Sequence, residues 1–177
     1  MALLALIVAF AFVGCGEEPG NPGANDGTAS RMVKDVKAQA GGITLKPSGT
    51  QVTFDDATKV ATVKSPGSGN AVFYVEQKLV PGTYKVTYSC AVVSGVGLPK
   101  ATLKKGANVS PWADLATAQY PDFEEGLNKT FNFTSVAADA TVGQDDDAMS
   151  GILFQHNTYN NNNAVTYLFK IISIVKQ

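Results

Sequence analysis

From Gly42 to the C-terminus, short runs rich in Val, Thr, Tyr, Phe and Ile alternate with clusters of Gly, Pro, Asn and Asp. Such punctuation predicts many short strands joined by turns, because β-branched and aromatic residues suit a pleated surface and Gly, Pro, Asn and Asp close turns. Strands are expected at Ile43-Lys46, Gln51-Asp55, Lys59-Lys64, Ala71-Gln77, Gly82-Val92, Lys100-Lys105, Lys129-Thr134, Ala138-Val142, Gly151-His156 and Ala164-Val175. Asp55-Asp56-Ala57-Thr58 is expected to close a hairpin through Asx-type bonds, and Pro81-Gly82 pairs a fixed φ with a permissive one. No helical period or internal repeat stands out. The single expected helical turn lies near Pro111 to Ala118, with Ser110 as cap.

Tyr84, Val86, Tyr88 and Cys90 alternate onto one strand face, whereas Val72 to Val75 and the Tyr167 to Ile172 region are apolar on both faces. Strands apolar on both faces need cover on both sides. The expected fold is therefore all-β, a two-sheet antiparallel β-sandwich rather than a closed barrel, with those two stretches as central strands.

The N-terminal organisation is different. Ala2 to Gly14 is apolar and uncharged, too short for a membrane span of about 20 residues but suited to the h-region of a secretory signal. Phe12-Val13-Gly14-Cys15 resembles a bacterial lipobox, with Phe12 in place of the usual leucine and no Lys or Arg before the apolar run. The resemblance implies removal of residues 1–14 and lipid on Cys15. An ordinary cleavage site or an uncleaved anchor are the alternatives. Residues 16–30 lack aromatic residues and are expected to be a flexible tether, since they cannot bury enough surface to offset the entropy of ordering. That leaves residues 31–177 as one domain of common size, on the bacterial cell envelope and facing the periplasm or exterior. With Cys15 lipidated or removed, Cys90 reads as a small buried hydrophobe.

Two segments carry a family resemblance. Asn70-Ala-Val-Phe-Tyr-Val, followed by Lys78-Leu-Val-Pro-Gly-Thr-Tyr-Lys-Val-Thr-Tyr-Ser, resembles the strand and "L-x-P-G-x-Y-x-V-x-Y" segment of jelly-roll carbohydrate-binding modules, galactose-binding-like β-sandwiches. Thr130-Phe-Asn-Phe-Thr and Gly151-Ile-Leu-Phe-Gln-His are similar to their closing strands. Together these cover roughly residues 40 to 175. The resemblance implies a jelly roll and a non-catalytic, carbohydrate-binding role.

Composition narrows the chemistry. The net charge is −1 and only 16% of residues are charged, so there is no electrostatic footprint for nucleic acid. A Ser-His-Asp arrangement would have to use His156, the only histidine, which has no flanking motif. The acids cluster in turns, at Asp55-Asp56, Glu124-Glu125 and Asp145-Asp146-Asp147, where solvated surface explains them better than the paired carboxyls of a glycosidase. No enzyme is expected and no cofactor is required. Asp145 to Asp147 leave a structural calcium open, although the spacing is not that of an EF-hand loop.

Sugar binding asks for an exposed aromatic ring beside amides or carboxylates. Ser110-Pro111-Trp112-Ala113-Asp114 with Gln119-Tyr120, and His156-Asn157-Thr158-Tyr159 within an Asn-rich stretch, meet that demand. Trp112, Tyr120, Asn157 and Tyr159 are therefore the candidate ligand residues, each with a bland alternative as loop plug or polar turn. The expected partner is a polysaccharide or glycan bound by a monomer whose only membrane link is the lipid. The rival is a structural or adhesive envelope lipoprotein that binds another protein. Asn108, Asn128 and Asn132 begin glycosylation sequons, read as chance matches in a bacterial lipoprotein.

Overall fold

The computed structural model describes residues 27–65, 70–77, 79–98, 100–106, 113–139, 151–157 and 164–177. In chain order the elements are α1 (Gly27–Ala38), β1 (Lys46–Ser48), β2 (Val52–Asp55), β3 (Val60–Ser65), β4 (Asn70–Glu76), β5 (Gly82–Ser94), β6 (Ala101–Gly106), β7 (Ala113–Asp114), β8 (Gly126–Ser135), a 3-10 turn (Ala137–Asp139), β9 (Gly151–Asn157) and β10 (Val165–Lys176). The strands form two five-stranded antiparallel sheets: a front sheet in the order β1-β4-β9-β6-β7 and a back sheet in the order β2-β3-β10-β5-β8. The fold is the two-sheet β-sandwich that the alternating runs predict.

The core lies between the sheets and is aromatic. From the front sheet, Phe73 and Phe154 stack at 5.1 Å; from the back sheet, Tyr84 stacks on Phe133 at 4.9 Å and Tyr88 on Phe169 at 5.3 Å. Phe169 joins the layers, with its ring 5.5 Å from Phe73 and 6.4 Å from Phe154. Each such side chain contributes on the order of 1.5–3 kcal/mol by leaving water. Tyr84, Val86, Tyr88 and Cys90 all point into this core, as their alternation predicts. Burial pushes the Cys90 thiol well above its ordinary range, as expected of an inert structural cysteine.

Local chemistry accounts for the turns. Asp55 accepts from Ala57 N–H at 3.0 Å and from the Thr58 hydroxyl at 2.9 Å, closing the β2–β3 hairpin. In the Leu79-Val-Pro-Gly-Thr-Tyr84 stretch the Tyr84 hydroxyl donates to Val80 C=O (3.0 Å) and accepts from Val80 N–H (2.9 Å). This is a tyrosine corner of the kind that sandwiches use to turn into a strand. Gly82 there has φ +148°, and a Cβ on it would strike the Lys176 side chain. The Leu79 to Tyr84 motif is thus a backbone device.

Some local expectations do not hold. Residues 27–38 form a helix where none stands out in the sequence: Met32, Val33 and Val36 occupy one face of α1 and pack on Val60, Ala91 and Leu168 of the back sheet's outer face. Ala113–Asp114 is strand β7 rather than a helical turn, because it pairs with Lys104 and Lys105 of β6. Ala137–Asp139 is a 3-10 turn where a strand from Ala138 was expected. The first strand begins at Lys46, and Ile43 instead donates its N–H to Ile171 C=O at 2.8 Å.

Candidate functional site

Register defines the front sheet's outer face. Ala71, Phe73, Val75, Ala101, Leu103, Ile152 and Phe154 belong to the core, so their strand neighbours occupy the opposite face. One cross-sheet row runs Lys46, Tyr74, position 153, Lys104, Asp114; the next runs Ser48, Val72, Gln155, Thr102. Val72 and Tyr74 form a small apolar cluster of their own, 4% and 3% exposed. Polar groups flank it. Lys46 Nζ sits 5.7 Å from the Tyr74 ring centroid and 3.4 Å from Glu76, and Lys104 Nζ pairs with Asp114 at 2.5 Å. Gln155 Oε1 is buried and has no hydrogen-bond partner among the described residues.

Tyr120 extends the second row, although it belongs to no strand. Ala101 donates its N–H to Pro121 C=O at 3.3 Å and Leu103 to Gln119 C=O at 3.1 Å. These are two successive antiparallel pairs, so Tyr120 lies opposite Thr102 and shares its face. Its side chain is 59% exposed, beside a hydroxyl and one strand away from the Gln155 amide. Asn157 ends β9, opposite Asn70 and two residues along from Gln155. Among the sequence candidates, Tyr120 and Asn157 therefore lie on the same sheet, at different positions along it. Trp112, Tyr159, Cys15 and Asp145 to Asp147 lie outside the described residues. Lys46, Lys104, Thr102 and Gln155 were missed as candidates because only strand order makes them neighbours.

What can this surface do chemically? An exposed ring, a hydroxyl and salt-bridged side chains match the alternating apolar and hydroxyl faces of a sugar ring. Glu76 and Asp114 are separated by three strand spacings and one row, about 16 Å along the backbone, beyond the spacing glycosidases use. Among the described residues no cluster of three or more His, Cys, Asp or Glu is placed to hold a metal ion.

The back sheet's outer face is built differently. Beneath the end of α1, Lys170 is 1% exposed and donates to Gln39 C=O. Burial lowers its pKa, and the negative end of the helix dipole partly offsets that cost. Gln39 also accepts from Ser89 Oγ at 2.6 Å and donates to Asn128 Oδ1 at 2.7 Å. This face is occupied by the protein's own helix.

One solved structure of similar architecture agrees with this fold. A structure described as "CBM4 structure and function" matches over 75% of this chain and 94% of its own, with 18% identity and a TM-score of 0.51. The second N-terminal cellulose-binding domain of Cellulomonas fimi β-1,4-glucanase C matches over 75% of this chain and 85% of its own, with 16% identity and a TM-score of 0.45. The likeness is one of fold: the first of these shares the β-sandwich architecture of this chain. No family model and no curated protein matches the chain.

Proposed function

We propose that this domain is a non-catalytic module that binds a polysaccharide across the outer face of the front sheet. One observation carries the proposal: Tyr120 is exposed and lies opposite Thr102, so a ring for stacking stands beside a side chain that can bond a hydroxyl. The sandwich shared with a carbohydrate-binding module supports it. Trp112, which directly precedes β7 in the chain, and Asn157 and Tyr159, at and beyond the end of β9, are proposed as further contacts. The proposal includes a lipid on Cys15. Helix α1, the first described element, lies on the outer face of the back sheet, opposite the proposed binding face.

The test is affinity electrophoresis of the full chain in gels cast with hydroxyethylcellulose, xylan, galactomannan or laminarin, alongside Trp fluorescence titrations, since Trp112 is the only Trp. Retardation in one polysaccharide, lost in Tyr120→Ala with the melting temperature unchanged, is the expected result. Unretarded migration in every gel would overturn sugar binding and leave the adhesive lipoprotein as the better account.

A further inference from the structure

We infer that Gln119 and Asp139 are positioning residues that clamp the segment bearing Tyr120, so that its ring is in place before any ligand arrives. The inference rests on the sugar-binding role of that face. The segment needs a clamp because its pairing with β6 is interrupted. Lys104 opposes Asp114, yet the adjacent Leu103 bonds to Gln119, so one step along β6 corresponds to five along the opposing chain. Residues 115–118 bulge out of the ladder, and only Leu115 anchors the bulge in the core, at 4% exposure.

Two side chains close the gap. Asp139, 1% exposed, accepts from Ala116 N–H at 2.7 Å within the bulge and from Val136 N–H at 3.1 Å in its own turn. Lys105 Nζ lies 3.5 Å from the same carboxylate and donates to Ala138 C=O at 2.6 Å. Gln119 reaches across the seam between the sheets: its amide accepts from Thr134 N–H at 2.8 Å and donates to Thr134 C=O at 2.7 Å. That pair of bonds occupies the free edge of β8 as an added strand would. Tyr120, the next residue, is therefore held between a side-chain clamp to β8 and main-chain bonds to β6.

Pre-ordering a binding segment removes the cost of ordering it during association. Gln119 is the better probe because it is only partly buried, whereas Asp139→Asn removes the charge that faces Lys105 and carries a greater risk to folding. In the full chain, Gln119→Ala is expected to speed amide hydrogen exchange at residues 116–120 while the strands keep their protection. Retention in whichever of the hydroxyethylcellulose, xylan, galactomannan or laminarin gels retards the wild type should weaken roughly three- to tenfold. Gln119→Glu keeps the acceptor for Thr134 N–H and loses the donor, and is expected to fall between the two.

Unchanged exchange at 116–120 in Gln119→Ala would overturn the clamp. Faster exchange with undiminished retention, while Tyr120→Ala abolishes retention, would overturn positioning and leave sugar binding standing. If Tyr120→Ala is retained like the wild type, or the wild type is retarded in no gel, the role of the face fails and the inference fails with it.

Discussion

The two outer faces of this sandwich began with the same problem and solved it differently. Each sheet turns one side to the core and must do something with the other. The back sheet carries Val60, Ala91 and Leu168 outward and covers them with α1, pinned by the bonds around Gln39 and Lys170. On the front sheet Val72 and Tyr74 sit among Lys46, Glu76, Lys104 and Asp114, and exposed Tyr120 continues one row. A patch covered by the helix serves stability, while on the front sheet Val72 and Tyr74 are buried and the exposed ring is that of Tyr120, which stands at the polar margin and is suited to recognition.

The largest effect is expected beneath both faces, where they share a core. Phe169→Ala removes a ring that touches Phe73, Tyr88, Phe123 and Phe154, and should cost about 3–5 kcal/mol in urea unfolding. Glycan retention should be lost only as the protein unfolds. A cost under about 1 kcal/mol would mean that the sheets are held together elsewhere.

Val36→Ala tests the back face alone. Val36 is fully buried against Val60, Ala91 and Leu168, and its truncation should cost about 1–3 kcal/mol. Glycan retention at low temperature should stay as in the wild type. A parallel loss of binding would show that the faces are coupled through the core.

Alkaline pH should act mainly on the back sheet. Burial raises the pKa values of Cys90, Tyr88 and Tyr167, so their contribution is fully present below the unfolded values of 9.0 for the thiol and 10.0 for the phenols, and is lost as pH rises above them. Lys170 works in the opposite sense: its lowered pKa makes the folded state gain as pH rises towards the unfolded value of 10.5. For Cys90 the loss is at most about 1.4 kcal/mol per pH unit above 9.0. Melting temperatures measured from pH 8 to 11 should fall, and Cys90→Val should delay the onset. A flat profile that stays flat in Lys170→Met, where the opposing contribution is removed, would contradict the burial of all three groups.

The smallest effect lies at the β2–β3 turn. Asp55 has its pKa lowered, first by the Thr58 hydroxyl and then by Ala57 N–H. Its contribution is present above the ordinary value of 3.8 and is lost as pH falls through the folded value. Asp55→Ala should therefore lower the melting temperature slightly at neutral pH and leave it nearly unchanged at the acid end, flattening the acid limb, which a pH series of melting curves would reveal.

Much of this fold is legible in the chain. Tyr84, Val86, Tyr88 and Cys90 declare their shared face by simple alternation, and the Asp55 turn and the Leu79 to Tyr84 corner declare themselves by residue type. Helix α1 does not, because three apolar residues in twelve give a weak period and only the patch at Val60, Ala91 and Leu168 makes them a docking face. At the candidate site, Tyr120 was recognisable as an aromatic beside Gln119. Its neighbours Thr102 and Gln155 come from β6 and β9, strands distant in sequence, and no local pattern joins them.

The division follows from the range of the forces involved. Residue alternation and turn chemistry are properties of neighbours along the chain, so the sequence by itself determined a β-rich domain, its hairpin turns and the face each core strand turns inward. Strand order, the covering of one outer face by α1 and the register that sets Tyr120 opposite Thr102 depend on contacts between remote segments. Those contacts form only when the whole sandwich closes, because the entropy of joining distant segments is recovered only through burial of the shared core.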